Sequence, residues 1–322
     1  ATISLKRTKM AKPFRATVFS PNSDVGCKTD EELVRGFLLA LGAGGRKQRT
    51  LDIYEESIRM LSDFAESLGL LGLATMDRTH IRHWLTKLHQ KGNKPSTVSV
   101  RYRSVSRFFN WCVEEGERED NPMDRVDAPR IPATIQAYYL PHEVEVVVKA
   151  IDLVTPHDNR DAAIIMILFD TGVRAAELCG MKIENLNWEE GTILVTGKAD
   201  KQRRISFGQQ AFHAIDRYLT IRREESNWLW LGSANKPFVV NGLRMMLRRR
   251  FDAAGVKFQG AHAFRRGFAM EYLSAGGQEG DLKELGGWND YAMVTRYAKA
   301  NAGERAVIAH KELSPGDRLN LK

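Results

Sequence analysis

Five side chains in the C-terminal half of the chain have the chemistry needed to act on a phosphate group. Arg174 follows a glycine turn in TGVRAAEL, at the start of a predicted helix, where backbone N–H groups and the helix dipole also favour an anion. His262 and Arg265, in HAFRR, lie three residues apart and so share one side of a helix. Lys198 occupies the tip of a predicted hairpin, and Tyr297 lies in MVTRYAKA. Together these residues offer cations for a phosphate, proton carriers and a nucleophile.

Taken singly, each of these signals is weak. An arginine at a helix start is usually solvated, a lysine at a hairpin tip usually keeps the turn soluble, and a helical tyrosine is usually part of a core. The sequence has no phosphate loop, H-E-x-x-H, G-x-S-x-G or dinucleotide fingerprint, so it lacks the usual parts for NTPase, zinc-protease, esterase or dehydrogenase chemistry. The order and context of the five residues therefore carry the functional interpretation.

The elements around these residues are predicted to be mostly helical. Apolar residues recur every three or four positions from residue 141 to residue 181 and again from residue 209 onwards, which predicts helices. Between residues 182 and 207 the period changes to two, in KIENLNW, TILVT and RRISF, which predicts a small antiparallel sheet. A last helix is predicted in ERAVIAHKEL.

The N-terminal half predicts a small bundle of four amphipathic helices. Leu51, Tyr54, Ile58, Leu61 and Phe64 form one apolar stripe. The sequence therefore predicts a mainly α (α+β) chain with a basic arm at 1–28, a helical domain at 29–126, a proline-containing linker at 127–138, a second domain that holds the small sheet and the five residues at 139–303, and a C-terminal helix and tail at 304–322.

Composition and charge narrow the class of protein. The 322 residues include 48 Lys and Arg against 40 Asp and Glu, a net charge of +8, which suits an anionic partner without proving one. Residues 1–28 hold six basic residues and one acidic residue. Three scattered cysteines favour a reducing compartment, and the longest apolar run, 162–169, is too short to span a membrane, so we expect a cytoplasmic protein. His80, His83 and His89 lack a carboxylate or cysteine that would complete a metal site.

The motifs, taken in order, resemble the tyrosine recombinase (phage integrase) family, including its Xer-like and Cre-like members. The resemblance rests on TGVRAAEL, VTGKADKQRRISF, HAFRR and ELGGWNDYAMVTRY over residues 140–300, and the helices of residues 30–125 resemble the family's SAM-like core-binding domain. It implies that Arg174 and Arg265 clamp the scissile phosphate, with Lys198 as the hairpin lysine, His262 as the first histidine and Tyr297 as the nucleophile. Glu177 is then the supporting carboxylate.

Two positions depart from the pattern of many members. Where these have a second histidine, nine residues before the tyrosine, this chain has Trp288, as in Cre-type members; its indole N–H can donate to a phosphate oxygen but cannot exchange a proton at neutral pH. Trp288 is also compatible with a core position. Arg266 stands where other members have a histidine, and we give this no mechanistic weight.

Other basic residues are predicted to contact DNA. These are Arg101, Arg103 and Arg107 on the last N-terminal helix, Arg244 and Arg248 on a later helix, and Lys201 and Arg203 near the hairpin. Lys201 is also the alternative to Lys198 as the acid that protonates the leaving 5′-hydroxyl.

The predicted function is site-specific recombination of double-stranded DNA through a covalent 3′-phosphotyrosyl intermediate, with no metal, ATP or other cofactor. The resemblance implies a homotetramer on two DNA sites, and accessory DNA-bending or directionality proteins stay an open question. The alternatives are DNA relaxation of the type IB topoisomerase kind and a non-cleaving DNA-binding protein on the same scaffold. The complete set of five residues argues against the latter, because binding alone needs no nucleophile.

Overall fold

The structure is a computed structural model that describes residues 28–132, 137–197, 200–222, 225–300 and 302–319. Two predictions therefore lie outside the described residues: the basic arm, apart from Lys28, and the hairpin lysine Lys198. The chain divides into two compact units, Ala1–Thr134 and Ile135–Lys322. The finer domain bounds given above stay a prediction.

Local capping rules explain where three of the four described helices of the first unit begin. The described helices are α1 (Asp30–Ala43), α2 (Gln48–Ser67), α3 (Arg78–Gln90) and α4 (Pro95–Glu114). Thr29 caps α1: its hydroxyl accepts from the Glu32 N–H at 3.2 Å, while the Glu32 carboxylate accepts from the Thr29 N–H at 2.7 Å. Asp77 caps α3 in the same way, and Pro95 starts α4, where no intrahelical N–H is needed.

Aromatic side chains fill the core of the first unit. The Phe37 ring meets the rings of Tyr54 and Phe108 edge-on, each at 5.5 Å between centroids, and Trp111 lies 5.6 Å away. The predicted stripe of α2 faces this core. Its buried members are Ile58, Leu61 and Phe64, and its partly buried members are Leu51 and Tyr54.

The second unit combines helices with one small sheet. Its helices are α5 (Pro141–Lys149), α6 (Pro156–Thr171), α7 (Ala175–Cys179), α8 (Gln209–Ile221), α9 (Val240–Ala253), α10 (Ala261–Ser274), α11 (Glu279–Gly286), α12 (Tyr291–Ala300) and α13 (Ala302–Leu313). Its strands are β1 (Leu186–Asn187), β2 (Thr192–Thr196) and β3 (Gln202–Ser206). The mainly helical fold with a small sheet is as predicted.

The sheet is antiparallel in the order β1-β2-β3, and Val195 of β2 pairs with Arg203 of β3. The first strand is shorter than the sequence indicates. The predicted strand KIENLNW keeps only two residues in β1, because Ile183–Asn185 forms a 3-10 turn and the Ile183 N–H donates to the Asn227 carbonyl at 2.8 Å.

Helix α6 lies at the centre of the second unit. It is apolar on most sides and packs against α8 and α10, as its unbroken apolar run predicts. It ends at Gly172, whose φ of +57° is left-handed. A β-carbon there would come within 2.6 Å of Cδ1 of Phe268, so only glycine fits the turn that leads to Arg174.

A second apolar cluster joins α10, α11 and α12. Its buried members include Phe268, Leu273, Leu282, Val294 and Tyr297. The nucleophile predicted from the sequence is thus packed among apolar side chains. Within the described residues, no helix is both long enough and apolar enough to cross a membrane.

Candidate active site

Arg174 lies at the N-terminal end of the short helix α7, as predicted. Its side chain is 41% exposed, and its guanidinium donates to Glu177 Oε1 at 2.7 Å and to the Gly287 carbonyl at 2.8 Å. The Arg174 N–H donates to Glu177 Oε2 at 3.1 Å. The carboxylate therefore already occupies this backbone donor, so the guanidinium, more than the helix end, is the anion-binding group here.

Glu177 is a buried carboxylate shared by two arginines. Oε1 accepts from Arg174 at 2.7 Å and from Arg203 at 3.0 Å, and Oε2 accepts from Arg203 at 2.9 Å. Burial alone would raise the pKa of Glu177, but the hydrogen bonds from Arg203 and Arg174 outweigh it and hold the pKa at about 2. Glu177 is therefore charged at neutral pH.

Arg265 is nearly completely buried, at 1% exposure, and the backbone holds its guanidinium. One terminal nitrogen donates to the Gly172 carbonyl at 2.8 Å, and the other donates to the Gly286 carbonyl at 2.6 Å. Burial, followed by the charges of Arg174 and Arg203, lowers the pKa of Arg265 to about 9. The group remains a cation at neutral pH.

Trp288 covers one face of this cation. The Arg265 guanidinium carbon lies 3.9 Å from the Trp288 ring centroid, a cation–π contact. The ring reaches this position by folding over Gly286, where a β-carbon would come within 1.8 Å of Cζ3 of the indole. The next residue, Gly287, has a left-handed φ of +62°. The Gly-Gly pair thus allows the chain to turn and place the ring on Arg265.

Tyr297 lies beside Trp288 with its hydroxyl inside the protein. The two ring centroids are 6.0 Å apart. The hydroxyl oxygen is buried and has no hydrogen-bond partner among the residues that the structure describes. Burial raises the pKa of Tyr297, and the nearby charges of Arg265 and Arg266 oppose that rise in part. The phenol is therefore protonated at neutral pH in this arrangement.

His262 is exposed on α10, one turn before Arg265. The surrounding protein lowers the pKa of His262 from 6.5, first by partial desolvation and then through the charges of Arg266, Arg265 and Arg174. The imidazole is consequently neutral at pH 7 and available as a proton acceptor. Arg266, the second arginine of HAFRR, donates to the Ala137 carbonyl at 2.8 Å.

The base of the hairpin lies against Glu177. The Gly197 N–H donates to the Lys201 carbonyl at 2.8 Å, and a β-carbon on Gly197 would lie 3.1 Å from Glu177 Oε1. Gly197 is the chain neighbour of Lys198, which is outside the described residues, and Lys201 is exposed. The structure thus fixes the base of the hairpin and leaves the choice between the two lysines open.

Two family models match the chain. The phage integrase family model matches residues 138–304, more than half of the 322 residues, and the model of the phage integrase N-terminal SAM-like domain matches residues 34–116. The chain belongs to the phage integrase family. It is a tyrosine site-specific recombinase, an enzyme that breaks and rejoins DNA strands.

Curated relatives of the recombinase include two bacterial enzymes. Tyrosine recombinase XerC of Oceanobacillus iheyensis is 27% identical over 257 residues, which cover 77% of this chain and 84% of the relative. Tyrosine recombinase XerC of Escherichia coli is 29% identical over 249 residues, which cover 73% of this chain and 80% of the relative.

Solved structures share the fold of the recombinase. The integrase of transposon Tn1549 in complex with transposon right end DNA has a TM-score of 0.74 at 19% identity, covering 88% of this chain and 99% of that one. The XerH recombinase bound to palindromic difH has a TM-score of 0.69 at 17% identity, covering 87% and 84%. A lambda integrase tetramer bound to a Holliday junction has a TM-score of 0.67 at 18% identity, covering 82% and 76%. At these identities the likeness establishes the fold.

The arginines predicted to contact DNA from α4 differ in their availability. Arg101 is 13% exposed and is held by Glu56 at 2.6 Å and Ser57 at 3.0 Å. Arg107 pairs with Glu114 at 3.2 Å and is 45% exposed, and Arg103 is exposed. Of the three, Arg103 and Arg107 are the more accessible to a DNA backbone.

Helix α9 presents a basic face to solvent. Arg244 and Arg248 are exposed, and the Arg248 guanidinium lies 5.5 Å from the Phe258 ring centroid. The next two arginines reach inward to the buried Asp161: Arg250 donates to it at 2.8 Å and Arg249 at 3.3 Å. Arg244 and Arg248 are thus the exposed arginines of α9 with no carboxylate partner among the described residues.

Sequence reasoning missed the backbone acceptors and the placement of Arg203. The carbonyls of Gly172, Gly286 and Gly287 carry no side-chain signal, although the glycines themselves mark tight turns.

Arg203 was predicted to contact DNA, yet it is only 14% exposed and donates to Glu177 and to the Leu285 carbonyl. Its buried position does not favour that prediction. The alternation of β3 contained the signal, since Arg203 shares a face with the buried Ile205.

Proposed function

We propose that the recombinase cleaves one DNA strand by attack of the Tyr297 hydroxyl on a scissile phosphate clamped by Arg174 and Arg265. The bond from phosphorus to the 5′-oxygen breaks, a 3′-phosphotyrosyl ester forms, and a free 5′-hydroxyl leaves. A second DNA 5′-hydroxyl then attacks the ester and releases Tyr297. Because the ester conserves the phosphodiester bond, strand rejoining needs no ATP.

One observation carries this proposal: residues far apart in sequence converge on the segment Gly286–Trp288. Arg174 donates to the Gly287 carbonyl and Arg265 donates to the Gly286 carbonyl. Trp288 lies on Arg265, and Tyr297 lies 6.0 Å from Trp288 between ring centroids. Arginine and tyrosine side chains with separate structural roles would have no reason to meet at the same three-residue segment.

The two guanidiniums supply the charge that the reaction requires. A phosphodiester carries one negative charge, and the pentavalent transition state carries a second, so fixed cations stabilise the transition state more than the ground state. Arginine also matches phosphate oxygens with paired N–H donors. The carbonyls of Gly172 and Gly286 take two of the five N–H donors of Arg265 and thereby fix its orientation.

Attack requires a change at Tyr297, because its hydroxyl is buried among apolar side chains. DNA binding must bring the hydroxyl to the phosphate and the phosphate to Arg265, which is also buried. On the family resemblance, neutral His262 accepts the phenolic proton. The leaving 5′-oxygen takes a proton from Lys198 or Lys201.

The test uses a labelled duplex with a nick beside the cleavage point, so that the short 5′-hydroxyl strand diffuses away and traps the ester. Candidate sequences come from DNA beside the gene, and the reaction contains EDTA and no nucleotide. We expect an adduct that survives denaturation and is lost in Tyr297→Phe, while duplex binding changes less than about threefold, because the phenol adds no phosphate charge contact.

The outcomes separate the competing functions. An adduct that persists in Tyr297→Phe would overturn the assignment of the nucleophile. Tight binding without any adduct would favour the non-cleaving DNA-binding protein. Relaxation of a supercoiled plasmid without exchange between two sites would favour the topoisomerase-like activity.

We further propose that the recombinase acts in the cytoplasm as a homotetramer on two DNA sites. The proposal is supported by the lambda integrase neighbour, which is a tetramer on a Holliday junction. Light scattering of the protein with a duplex that holds one site should give the mass of four protomers and two duplexes. Accessory proteins would reveal themselves as a requirement for host extract in strand exchange.

A further inference from the structure

We propose that Arg203 is a positioning residue for the cleavage reaction. Its charge offsets that of Glu177, so the site keeps the positive charge of Arg174. Its side chain also joins the hairpin strand β3 to the Gly286–Trp288 segment. The inference rests on the proposed function. It replaces a DNA contact by Arg203 with a role inside the protein.

The side chain of Arg203 connects two elements through all three of its guanidinium nitrogens. Nε donates to the Leu285 carbonyl at 3.0 Å, at the C-terminal end of α11. The two terminal nitrogens donate to the two carboxylate oxygens of Glu177 at 3.0 and 2.9 Å, the paired geometry that arginine forms with a carboxylate. Lysine has a single ammonium and cannot reproduce this arrangement.

Arg203 also packs against the backbone that bears the acceptors of the catalytic arginines. A β-carbon on Gly287 would lie 3.0 Å from Cδ, Cζ and Nε of Arg203. The Gly287 backbone therefore rests on the Arg203 side chain, and the Gly287 carbonyl in turn accepts from Arg174. A change in the Arg203 side chain is expected to move that carbonyl.

The charge balance gives Arg203 its second effect. Arg174 and Glu177 alone would form a neutral ion pair, in which the carboxylate competes with phosphate for the guanidinium. Arg203 brings a second cation to the same carboxylate, so the trio has a net charge of +1. The charge of Arg203 also reaches Arg265, whose pKa it helps to lower. The positive potential at the phosphate site thus depends on a residue that has no need to touch DNA.

The hairpin is tied to the same point. Arg203 pairs with Val195 across β2 and β3, and Gly197, the neighbour of Lys198, lies against Glu177. The ion pair between Arg203 and Glu177 therefore fixes the base of the hairpin relative to Arg174.

The chain contains a matched control for Arg203. Arg204 is the next residue on β3, points the other way, is 67% exposed and pairs with Glu190 at 2.9 Å. Arg203→Met and Arg204→Met remove the same charge from adjacent positions, and Arg203→Lys keeps the charge but loses the paired hydrogen bonds. Comparison of the three separates position from net charge.

The first measurement is single-turnover adduct formation on the nicked duplex, together with duplex affinity by fluorescence anisotropy. Arg203→Met should bind DNA within about threefold of wild type and cleave roughly 100-fold more slowly, a loss of the size caused when catalytic groups are displaced by about 1 Å. Arg203→Lys should recover only a small part of the rate, and Arg204→Met should cleave like wild type. An equal loss in Arg203→Met and Arg204→Met, or a loss of affinity that accounts for the loss of rate, would overturn the inference.

The second measurement needs no activity: titration of the Glu177 carboxyl by 13C NMR, assigned with Glu177→Gln. The charged groups that face this carboxylate are Arg174 at the cap of its own helix, Arg203 on β3 and Arg265 on α10. Without Arg203, the effect of burial on the Glu177 carboxyl is opposed by Arg174 alone, so the pKa of Glu177 should rise from about 2. An unchanged titration in Arg203→Met would contradict the inference, even if the variant were inactive for another reason.

The two measurements also separate this inference from the proposed function. If wild-type protein forms no adduct, the proposed cleavage fails, while the carboxyl titration still tests the link between Arg203 and Glu177. If wild type cleaves and Arg203→Met cleaves equally well, only the inference about Arg203 fails. Thermal unfolding of each variant identifies one that does not fold, in which case Arg203→Lys takes its place.

Discussion

At the scale of single residues, the contact between Trp288 and Arg265 predicts which property of the indole matters. A ring over a guanidinium contributes about 0.5–2 kcal/mol, a factor of roughly 2 to 30 in rate if the contact orients Arg265 in the transition state. Trp288→Phe keeps an aromatic face and should retain most of the cleavage rate, whereas Trp288→Ala should slow cleavage by roughly 2- to 30-fold. The measurement is single-turnover adduct formation.

The same pair of variants tests the hydrogen bond to phosphate that the sequence suggests for the indole N–H. If that hydrogen bond is the main contribution, Trp288→Phe will be as slow as Trp288→Ala. Gly286→Ala offers a further check, because its β-carbon would overlap the indole and displace the ring without changing it chemically.

The pKa of His262 predicts the acid side of the pH profile. The imidazole must be neutral to accept a proton, and its pKa is lowered from 6.5 by partial desolvation and by the charges of the surrounding arginines. The decline of the cleavage rate at acid pH should therefore have its midpoint below pH 6.5. Glu177 adds no decline in this range, since its pKa is about 2.

The check is the pH dependence of single-turnover cleavage in wild type and His262→Ala. The variant should be slower and should lack the decline below pH 6.5. A decline in wild type that is centred above pH 7 would show that another group, or a His262 with a raised pKa, limits the rate.

At the scale of elements, the junction of α6 and α10 depends on the absence of a side chain at residue 172. Gly172→Ala places a β-carbon at a left-handed φ and against Phe268, which together should cost roughly 2–5 kcal/mol in free energy of unfolding. Urea unfolding followed by tryptophan fluorescence measures the loss. Gly303→Ala in α13 meets no atom within 4 Å and should change stability little. Equal stability of the two variants would disprove the packing argument.

The helices and strands also show which parts of the fold could be predicted from the sequence. The apolar periodicity of α2 and the alternation of β2 and β3 place these elements correctly, because local burial repeats with the period of the structure. The strand predicted at residues 182–188 is mostly wrong, because Ile183 bonds to Asn227, a partner 44 positions away that no local pattern reveals.

The candidate active site, too, was predictable only in part. The motifs contain Arg174, Glu177, Arg265, Trp288 and Tyr297, which lie close together in the structure, and their roles in cleavage stay a prediction. They did not indicate that peptide carbonyls hold the arginines or that the tyrosine hydroxyl is buried. Those properties depend on the tertiary packing of α10, α11 and α12, not on residue type.

At the scale of the whole molecule, the net charge of +8 predicts that DNA binding weakens steeply with salt. Each phosphate contact contributes a slope of about 0.9 to the dependence of log affinity on log salt concentration. Arg244→Ala and Arg248→Ala, on the exposed face of α9, should each lower the slope by about one. Anisotropy titrations over a range of KCl concentrations measure it.

Arg101→Ala serves as the contrasting variant. Arg101 is already paired with Glu56 and only 13% exposed, so its loss should leave the slope unchanged. A lower slope for Arg101→Ala would mean that DNA displaces Glu56 from the guanidinium. An unchanged slope for both α9 variants would remove that helix from the phosphate contacts.

The backbone clamp on Arg265 has a consequence for how such a sequence can change over time. No substitution deletes a peptide carbonyl, so mutation cannot remove the acceptors at Gly172 and Gly286 as it can remove a glutamate or an asparagine. A substitution at either glycine can disturb these carbonyls only by adding a side chain, since each site lacks room for a single methyl group. Tolerance at these positions is therefore limited by volume and not by chemistry, and a library of all substitutions there should return glycine alone among active clones.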